Sequence, residues 1–161
     1  MKFEQCKNRT DEWYTPKWII DALVMGEGKF DLDPCSPPKR LFEIAGKYYT
    51  KEDNGLTKEW RGNVWLNPPY SRKLVVKFIE KLAKHGKGIA LLFNRMDTAL
   101  WHDVIFPTAD AMLIMRGRVK FIDSGLNGRG GATSGSILVA WGKENAECLR
   151  KSAIEGKYIE L

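Results

Sequence analysis

The chain has 161 residues, 43% hydrophobic and 29% charged, with 26 Lys and Arg against 20 Asp and Glu, which gives a net charge of +6. This size predicts a single domain over residues 1–161, with residues 1–10 as a flexible arm, and excludes two full-sized domains. The longest apolar runs are far shorter than the roughly 18 residues of a membrane-spanning helix, and the amino end lacks a signal-peptide pattern. Three widely spaced cysteines form no disulfide or zinc pattern. We therefore expect a cytoplasmic protein without a metal centre.

The first part of the chain predicts one helix and two short strands. Thr15 and Pro16 fit the capping position and the first position of a helix, respectively. Phe30 to Asp33 predicts a strand that Pro34 ends, and Lys47 to Thr50 predicts a second strand.

Strands and helices alternate through the middle of the chain. Asn63 to Leu66 predicts a strand, and Ser71 fits the cap of a helix that ends at Gly86. The continuous apolar run Gly88 to Phe93 predicts a strand that is covered on both faces. The remaining predicted elements are a helix over Asp97 to Phe106, strands over Ala111 to Met115, Val119 to Ile122 and Ile137 to Trp141, and a helix over Asn145 to Glu155.

This order of elements predicts an α/β fold with a mostly parallel sheet, an antiparallel edge and helices on both faces. Ligands of such sheets bind beyond the carboxyl ends of the strands, at the point where the strand order reverses. The segments at the ends of predicted strands are therefore the candidates for a functional site, namely Asp33 to Ser36, Thr50 to Asn54, Asn67 to Tyr70, and Asn94 with Arg95.

The positive charge is concentrated in two stretches. From Arg72 to Arg95 there are seven Lys and Arg against the single acid Glu80, and from Arg116 to Gly131 there are four against Asp123. Two basic stretches indicate a polyanionic partner. The alternative is that a lysine stripe is only the solvated face of a helix. The candidate contacts to a polyanion are Arg72, Lys73, Lys77, Arg95, Arg116, Arg118, Lys120 and Arg129.

The tetrapeptide Asn67-Pro68-Pro69-Tyr70 is the candidate catalytic motif. An exocyclic amine of a nucleobase, or a carboxamide nitrogen, is a poor nucleophile because its lone pair is delocalised. Two acceptors for its N–H groups would direct that lone pair at an electrophile, and the Asn67 side-chain oxygen and the Pro68 carbonyl can supply them. The prolines keep the loop rigid, and Tyr70 offers a flat face to a planar substrate. The alternative is a purely structural Asn-Pro turn.

The same tetrapeptide is the signature of amino-group methyltransferases that use S-adenosylmethionine, and the chain resembles the small, phage-type (Dam-like) DNA N6-adenine methyltransferases. The resemblance covers roughly Asp11 to Trp141 and implies a compact, Rossmann-like methyltransferase sheet. The residues that carry it include Asp11-Glu12-Trp13-Tyr14-Thr15-Pro16, Phe30-Asp31-Leu32-Asp33-Pro34, Asp53-Asn54-Gly55-Leu56, Val64-Trp65-Leu66-Asn67-Pro68-Pro69-Tyr70-Ser71 and Gly117-Arg118-Val119-Lys120-Phe121.

The resemblance also implies cofactor contacts. Thr15 would lie at the methionine end of S-adenosylmethionine, Asp33 beside its methionine and ribose, and Asp53 near its adenosine. Asp33 as a plain strand-end cap and Asp53 as part of an ordinary Asp-Asn-Gly turn are the alternatives. The chain departs from larger methyltransferases in lacking the Gly-x-Gly turn after the first strand, and it offers no candidate for the sheet's usual third strand. The cofactor-binding candidates are Trp13, Thr15, Pro16, Asp33, Pro34, Asp53 and Asn67.

The reaction that the resemblance implies is methyl transfer from S-adenosylmethionine to N6 of a flipped adenine, with S-adenosylhomocysteine as product and no metal. Asn67 and Pro68 would orient the amine, and Tyr70 would stack on the base. The partner would be DNA, as a duplex or as a single strand, and no membrane. The alternatives are a methyltransferase that acts on RNA or on a protein glutamine, and a catalytically inactive DNA-binding module of the same fold.

Overall fold

The computed structural model describes residues 13–24, 28–123, 130–131 and 134–161. The predicted arm at residues 1–10 and the predicted contact Arg129 lie outside the described residues. In chain order the elements are β1 Trp13–Tyr14, α1 Lys17–Leu23, β2 Phe30–Asp33, β3 Ala45–Tyr48, β4 Val64–Leu66, α2 Arg72–His85, β5 Gly88–Phe93, a π-helix Leu100–Ile105, α3 Phe106–Thr108, β6 Ala111–Met115, β7 Lys120–Asp123, β8 Gly130–Gly131, β9 Ser136–Trp141, α4 Lys143–Lys151 and β10 Gly156–Glu160.

A seven-stranded sheet in the order β3-β2-β4-β5-β9-β6-β10 forms the centre of the fold. The pairs β3–β2, β2–β4 and β4–β5 are parallel, whereas β5–β9, β9–β6 and β6–β10 are antiparallel. The predicted α/β class is confirmed, but the prediction of a mostly parallel sheet is not, because three of the six pairings between the described strands of this sheet are antiparallel. The reason is that β9 inserts between β5 and β6, and that β10, which the sequence analysis missed, extends the sheet beyond β6.

Helices cover both faces of this sheet. Along β5, Ile89 and Leu91 join the apolar cluster that includes residues of α1 and α4, while Ala90 and Leu92 join the cluster that includes residues of α2 and the π-helix. All four side chains are at most 3% exposed. The predicted covering of β5 on both faces is therefore confirmed, and it accounts for the continuous apolar run, since a strand with one solvated face would alternate.

Three helix boundaries test the predicted capping. Gly86 follows α2 with a φ of 74°, a left-handed conformation that glycine adopts without strain, and its N–H donates to the Leu82 carbonyl at 2.8 Å. The predicted cap by Thr15 is wrong, because Pro16 occupies the N-cap position of α1 and no side chain caps that helix. Ser71 does occupy the N-cap position of α2, but its side chain makes no capping hydrogen bond either.

A separate three-stranded sheet in the order β1-β7-β8 was not predicted. In it, Tyr14 of β1 lies opposite Ile122 of β7 in antiparallel register. This pairing ties the amino-terminal part of the described chain to a segment more than 100 residues later. Since Thr15 directly follows β1, the pairing fixes where Thr15 and the start of α1 lie.

Candidate active site

The predicted catalytic and cofactor residues lie at one edge of the large sheet. The strands β3, β2, β4, β5 and β6 all run in the same direction, so their carboxyl ends meet at this edge. The chain passes from β2 outward to β3 and then returns to β4 on the other side of β2. The direction in which successive strands are added therefore reverses between β2 and β4. β2 ends at Asp33, and Asn67 follows β4. This reversal is where open α/β sheets bind their ligands.

Asn67 is held by a residue that is distant in the sequence. Its Nδ2 donates to Thr15 Oγ1 at 3.1 Å, and Thr15 is only 4% exposed. Pro68, the next residue of the motif, is buried, and Pro69 is half-buried. The loop after β4 is thus rigid through its prolines and is anchored to the junction between β1 and α1.

The Tyr70 side chain packs against strand β5. Its hydroxyl lies 2.8 Å from Asn67 Oδ1 and 3.0 Å from the Leu91 carbonyl oxygen. Its ring stacks on Phe93 with the centroids 4.1 Å apart and an interplanar angle of 30°, and Phe93 in turn meets Phe121 edge-on at 6.2 Å. Burial of the hydroxyl raises the pKa of Tyr70 far above its usual value, so the phenol stays protonated and acts as a donor.

Asp33 is a buried carboxyl group at the end of β2, with 4% of its surface exposed. The Cys35 N–H donates to its Oδ1 at 3.0 Å. Burial raises the pKa of Asp33 from 3.8 to about 7, and the Cys35 N–H and the Arg40 charge only partly counter this. A carboxyl group with a pKa near neutral pH is a candidate functional group. The bond from the Cys35 N–H also fits the alternative interpretation, a strand-end cap.

A cavity of about 40 Å³ connects these residues. Thr15, Asp33 and Asn67 line it, together with Trp65 from β4. Pro16 and Pro34 are buried next to Thr15 and Asp33 in the chain. The structure therefore brings together three of the predicted cofactor residues, which the sequence places up to 52 positions apart.

Comparison with known proteins identifies the family. The family model described as "DNA N-6-adenine-methyltransferase (Dam)" matches residues 3–155. The chain belongs to this family. It is 37% identical over 95 residues to the "DNA N-6-adenine-methyltransferase" of Escherichia phage T1. The match covers 56% of this chain but only 39% of the phage T1 protein. No solved structure matches the chain.

Among the Dam-family site residues predicted from the sequence, Asp53 does not reach the cavity. Its Oδ2 accepts hydrogen bonds from the Thr50 N–H at 2.8 Å and from the Thr50 hydroxyl at 3.0 Å. These bonds lower the pKa of Asp53, which is exposed. Asp53 therefore stabilises the turn after β3, as in the alternative interpretation. The side chain of Trp13 lies outside the part of the molecule that the structure describes.

The predicted basic contacts divide into two groups along this edge. Three of them, Arg72, Lys73 and Lys77, are exposed on the first half of α2, directly after the predicted catalytic loop, and Arg95 is exposed just after β5. The others are Arg116 and Arg118, exposed after β6, and Lys120, exposed at the start of β7. Arg116 forms an exposed ion pair with Glu155 at 2.7 Å, a type of contact that contributes little to stability.

Two lysines of the basic stretch do not add to an open positive surface in this Dam-family chain. Lys81 Nζ donates to the Leu56 carbonyl at 2.7 Å, and also to the carbonyls of Gly55 and Lys58. Lys87 lies 3.6 Å from Glu144. The excess charge of α2 is therefore concentrated towards its amino end, which adjoins the catalytic loop.

Several residues around the site were not predicted from the sequence. The sequence indicated Phe93 only as the last residue of an apolar strand and Trp65 only as part of the resemblance, although Phe93 stacks on Tyr70 and Trp65 lines the cavity. Arg40 and Phe42, from the loop between β2 and β3, line it as well. Their one local signal was the position of that loop directly after the first strand of the sheet.

A larger cleft of about 510 Å³ lies elsewhere, beside β2 and β3. It contains none of the predicted catalytic or cofactor residues, and three of its four charged side chains already have a polar partner. Arg61 bonds Glu59 at 3.0 Å, and the Asp31 carboxylate accepts the Asn63 N–H at 2.5 Å. Size alone therefore does not identify the active site of this molecule.

The described residues contain neither a metal-binding cluster nor a membrane-spanning helix. In the ranges 13–24, 28–123, 130–131 and 134–161, no group of three or more His, Cys, Asp and Glu side chains is arranged to hold a metal ion. Within the same ranges, none of the helices has the length and apolar character needed to cross a membrane.

Proposed function

We propose that this chain transfers a methyl group from S-adenosylmethionine to the N6 amine of adenine in DNA and releases S-adenosylhomocysteine. The observation that carries the proposal is the convergence of Asn67 and the buried Asp33 on one cavity, at the point of strand-order reversal, in a member of the Dam family. The strand order also supports a Rossmann-like fold within a single domain.

The catalytic loop is suited to bind and orient an amine. Asn67 Oδ1 and the Pro68 carbonyl oxygen would each accept one N–H of the adenine N6 group. With both N–H groups held, the nitrogen lone pair would point away from the loop, towards the cavity that Asp33 and Thr15 line. Positioning of this kind can supply a large part of a rate enhancement without covalent catalysis.

Tyr70 would form the stacking surface for the base. Phe93 packs on one face of its ring at 4.1 Å, so an adenine that has left the helix would have to stack on the other face. Flipping a base out of a duplex costs a few kcal/mol, and stacking on an aromatic side chain returns about 1–3 kcal/mol. A Tyr70 ring held rigid by Phe93 would lose little entropy when it binds the base.

The residues of the cavity fit the chemistry of the proposed cofactor. S-adenosylmethionine would supply the electrophilic methyl group on a positively charged sulfonium, and its ammonium group adds a second positive charge. The Asp33 carboxylate would attract these charges, and the Asn67 side chain adds polar atoms. Pockets for ligands of this size measure roughly 300–1,000 Å³. Binding would therefore displace the outer wall of the cavity, where Arg40 and Leu41 are exposed.

The basic side chains next to the loop favour DNA as the partner. The first half of α2, next to the catalytic loop, carries Arg72, Lys73 and Lys77. Arg95 and Arg118 lie at the same edge of the sheet. This arrangement would hold phosphates on two sides of the pocket that accepts the flipped base.

Labelled methyl transfer would test the proposal. The wild-type chain would be incubated with S-adenosylmethionine that carries a labelled methyl group. Each reaction would contain one substrate: unmethylated duplex DNA, single-stranded DNA, tRNA or total protein. We expect N6-methyladenine in the nucleosides released from DNA, and we expect Asn67→Ala to abolish it. Label in tRNA or in glutamine would support the alternative substrates. DNA binding without cofactor binding or methyl transfer would support an inactive DNA-binding module.

A further inference from the structure

Thr15 makes a contact that none of the predicted roles explains. Its Oγ1 accepts a hydrogen bond from Asn67 Nδ2 at 3.1 Å, across 52 positions of sequence. The side chain does not cap α1, because Pro16 is at the N-cap and no side chain bonds the first turn. A buried hydroxyl group that is 4% exposed needs a polar partner, and Asn67 supplies it.

The backbone on both sides of Thr15 is held in place. Before it, the β1 residue Tyr14 is paired with Ile122 of β7. After it, Pro16 has a φ of −60°, and the Pro16 carbonyl accepts the Ile19 N–H at 3.1 Å as α1 begins. Thr15 is therefore a fixed point to which the Asn67 side chain is anchored.

The two ends of the Asn67 side-chain amide are chemically different, so its orientation matters. The oxygen accepts hydrogen bonds and the nitrogen donates them. Only the orientation with Oδ1 towards the substrate can accept an N–H of the adenine amine. In the structure, Thr15 holds the nitrogen end while the Tyr70 hydroxyl holds the oxygen end at 2.8 Å.

Substrate binding would disturb one of these two contacts and leave the other. An arriving amine would compete with the Tyr70 hydroxyl for Asn67 Oδ1. The bond to Thr15, on the far side of the amide, would remain. Thr15 would then be the contact that keeps the oxygen facing the amine during the reaction.

We propose that Thr15 is a positioning residue that acts through Asn67, by holding its amide nitrogen so that the amide oxygen faces the amine to be methylated. This role rests on the proposed methyl transfer to adenine. It differs from the predicted contact between Thr15 and the methionine end of the cofactor, because it affects the chemical step rather than cofactor affinity.

Two matched substitutions separate these roles. Thr15→Val keeps the shape of the side chain but removes the hydroxyl, and Thr15→Ser keeps the hydroxyl but removes the methyl group. For Thr15→Val we expect kcat for DNA methylation to fall roughly three- to tenfold, the effect of losing one hydrogen bond. We expect the Kd for S-adenosylmethionine, measured by calorimetry without DNA, to change less than twofold, and Thr15→Ser to restore most of kcat.

Each other outcome overturns the proposal. An unchanged kcat in Thr15→Val would show that the bond does not orient Asn67. A loss of cofactor affinity equal to the loss of kcat would assign Thr15 to the cofactor, and an equal defect in Thr15→Ser would assign it to packing. In these cases the wild-type chain still methylates DNA, and the proposed function stands. A wild-type chain that transfers no methyl group to DNA would overturn both.

Discussion

The Tyr70 hydroxyl lies 2.8 Å from Asn67 Oδ1, so the proposed stacking residue already contacts the oxygen that the substrate amine would need. A carbonyl oxygen has two lone pairs, but the Tyr70 side chain also restricts the space around it. The two residues of the tetrapeptide thus form a closed arrangement that an entering base would have to open.

Removing this hydroxyl should favour substrate binding while weakening the fold. For Tyr70→Phe we expect KM for DNA to fall and kcat to stay within about threefold, because the ring remains. We also expect the free energy of unfolding to fall by about 0.5–1.5 kcal/mol, the typical effect of one hydrogen bond. Steady-state kinetics and urea denaturation measure these. Tyr70→Ala is the control, because it removes the ring as well as the hydroxyl group and should therefore lower kcat. An equal loss of kcat in Tyr70→Phe and Tyr70→Ala would contradict the prediction.

Phe93 should matter to activity because it supports the Tyr70 ring. Phe93→Leu removes the stacked contact to Tyr70 and the edge-on contact to Phe121. Each aromatic pair contributes about 0.5–1.5 kcal/mol, so we expect the free energy of unfolding to fall by about 1–3 kcal/mol and KM for DNA to rise. Phe78→Leu is the matched control. Phe78 stacks on Trp60 in the other apolar cluster, so it should lower stability without raising KM.

Local patterns predicted the catalytic loop and the end of β2, but not their surroundings. Asn67 follows the apolar strand Val64–Leu66, and Asp33 is the last residue of the strand Phe30–Asp33. Prolines come directly after both residues, so each strand and its stop signal are visible within a few residues. The bond between Thr15 and Asn67 depends on the pairing of β1 with β7, which no local pattern encodes.

The central position of β9 in the sheet could not be predicted from the sequence for a similar reason. Its apolar run is equally compatible with an edge or a central strand that is covered by helices, and only the pairing with both β5 and β6 decides between them. Long-range pairing is therefore where the predicted sheet and the observed sheet differ.

The raised pKa of Asp33 should make stability depend on pH. Its value is about 7 in the folded protein against 3.8 ordinarily, because the carboxyl group is buried. Between these values the folded state holds a proton that the unfolded state has released, so this group's contribution to stability falls as the pH rises from about 4 to about 7. We expect Asp33→Asn to remove this contribution. Urea denaturation of both proteins between pH 4 and pH 8 measures the difference, and parallel curves would contradict the prediction.

The same carboxyl group should also make cofactor binding depend on pH. A positively charged ligand binds the ionised form of Asp33, so we expect the affinity for S-adenosylmethionine to rise as the pH increases through about 7 and to level off only above it. Calorimetry across this range measures it. Asp33→Asn should bind more weakly and show no such rise, whereas a wild-type affinity independent of pH would argue against a contact between Asp33 and the cofactor.

Lys77 and Lys81 lie one helical turn apart on α2, yet they should serve different purposes. Lys77 is exposed, and a phosphate contact there would release counterions, so we expect Lys77→Met to reduce the salt dependence of DNA binding by about 0.9 in log–log slope without changing stability. Lys81 instead holds the carbonyls of the loop before β4, and its Nζ lies 5.1 Å from the centre of the Trp60 ring.

Lys81→Met should therefore lower the free energy of unfolding, because it leaves the carbonyls of Gly55 and Leu56 without their charged donor. Its salt slope should match that of the wild-type chain, since the ammonium group faces the loop rather than the solvent. Titrations of duplex DNA at several salt concentrations, combined with urea denaturation, measure both effects. Equal slopes for the two variants would contradict the division of α2 into a DNA-binding part and a structural part, because charge alone would then decide the outcome.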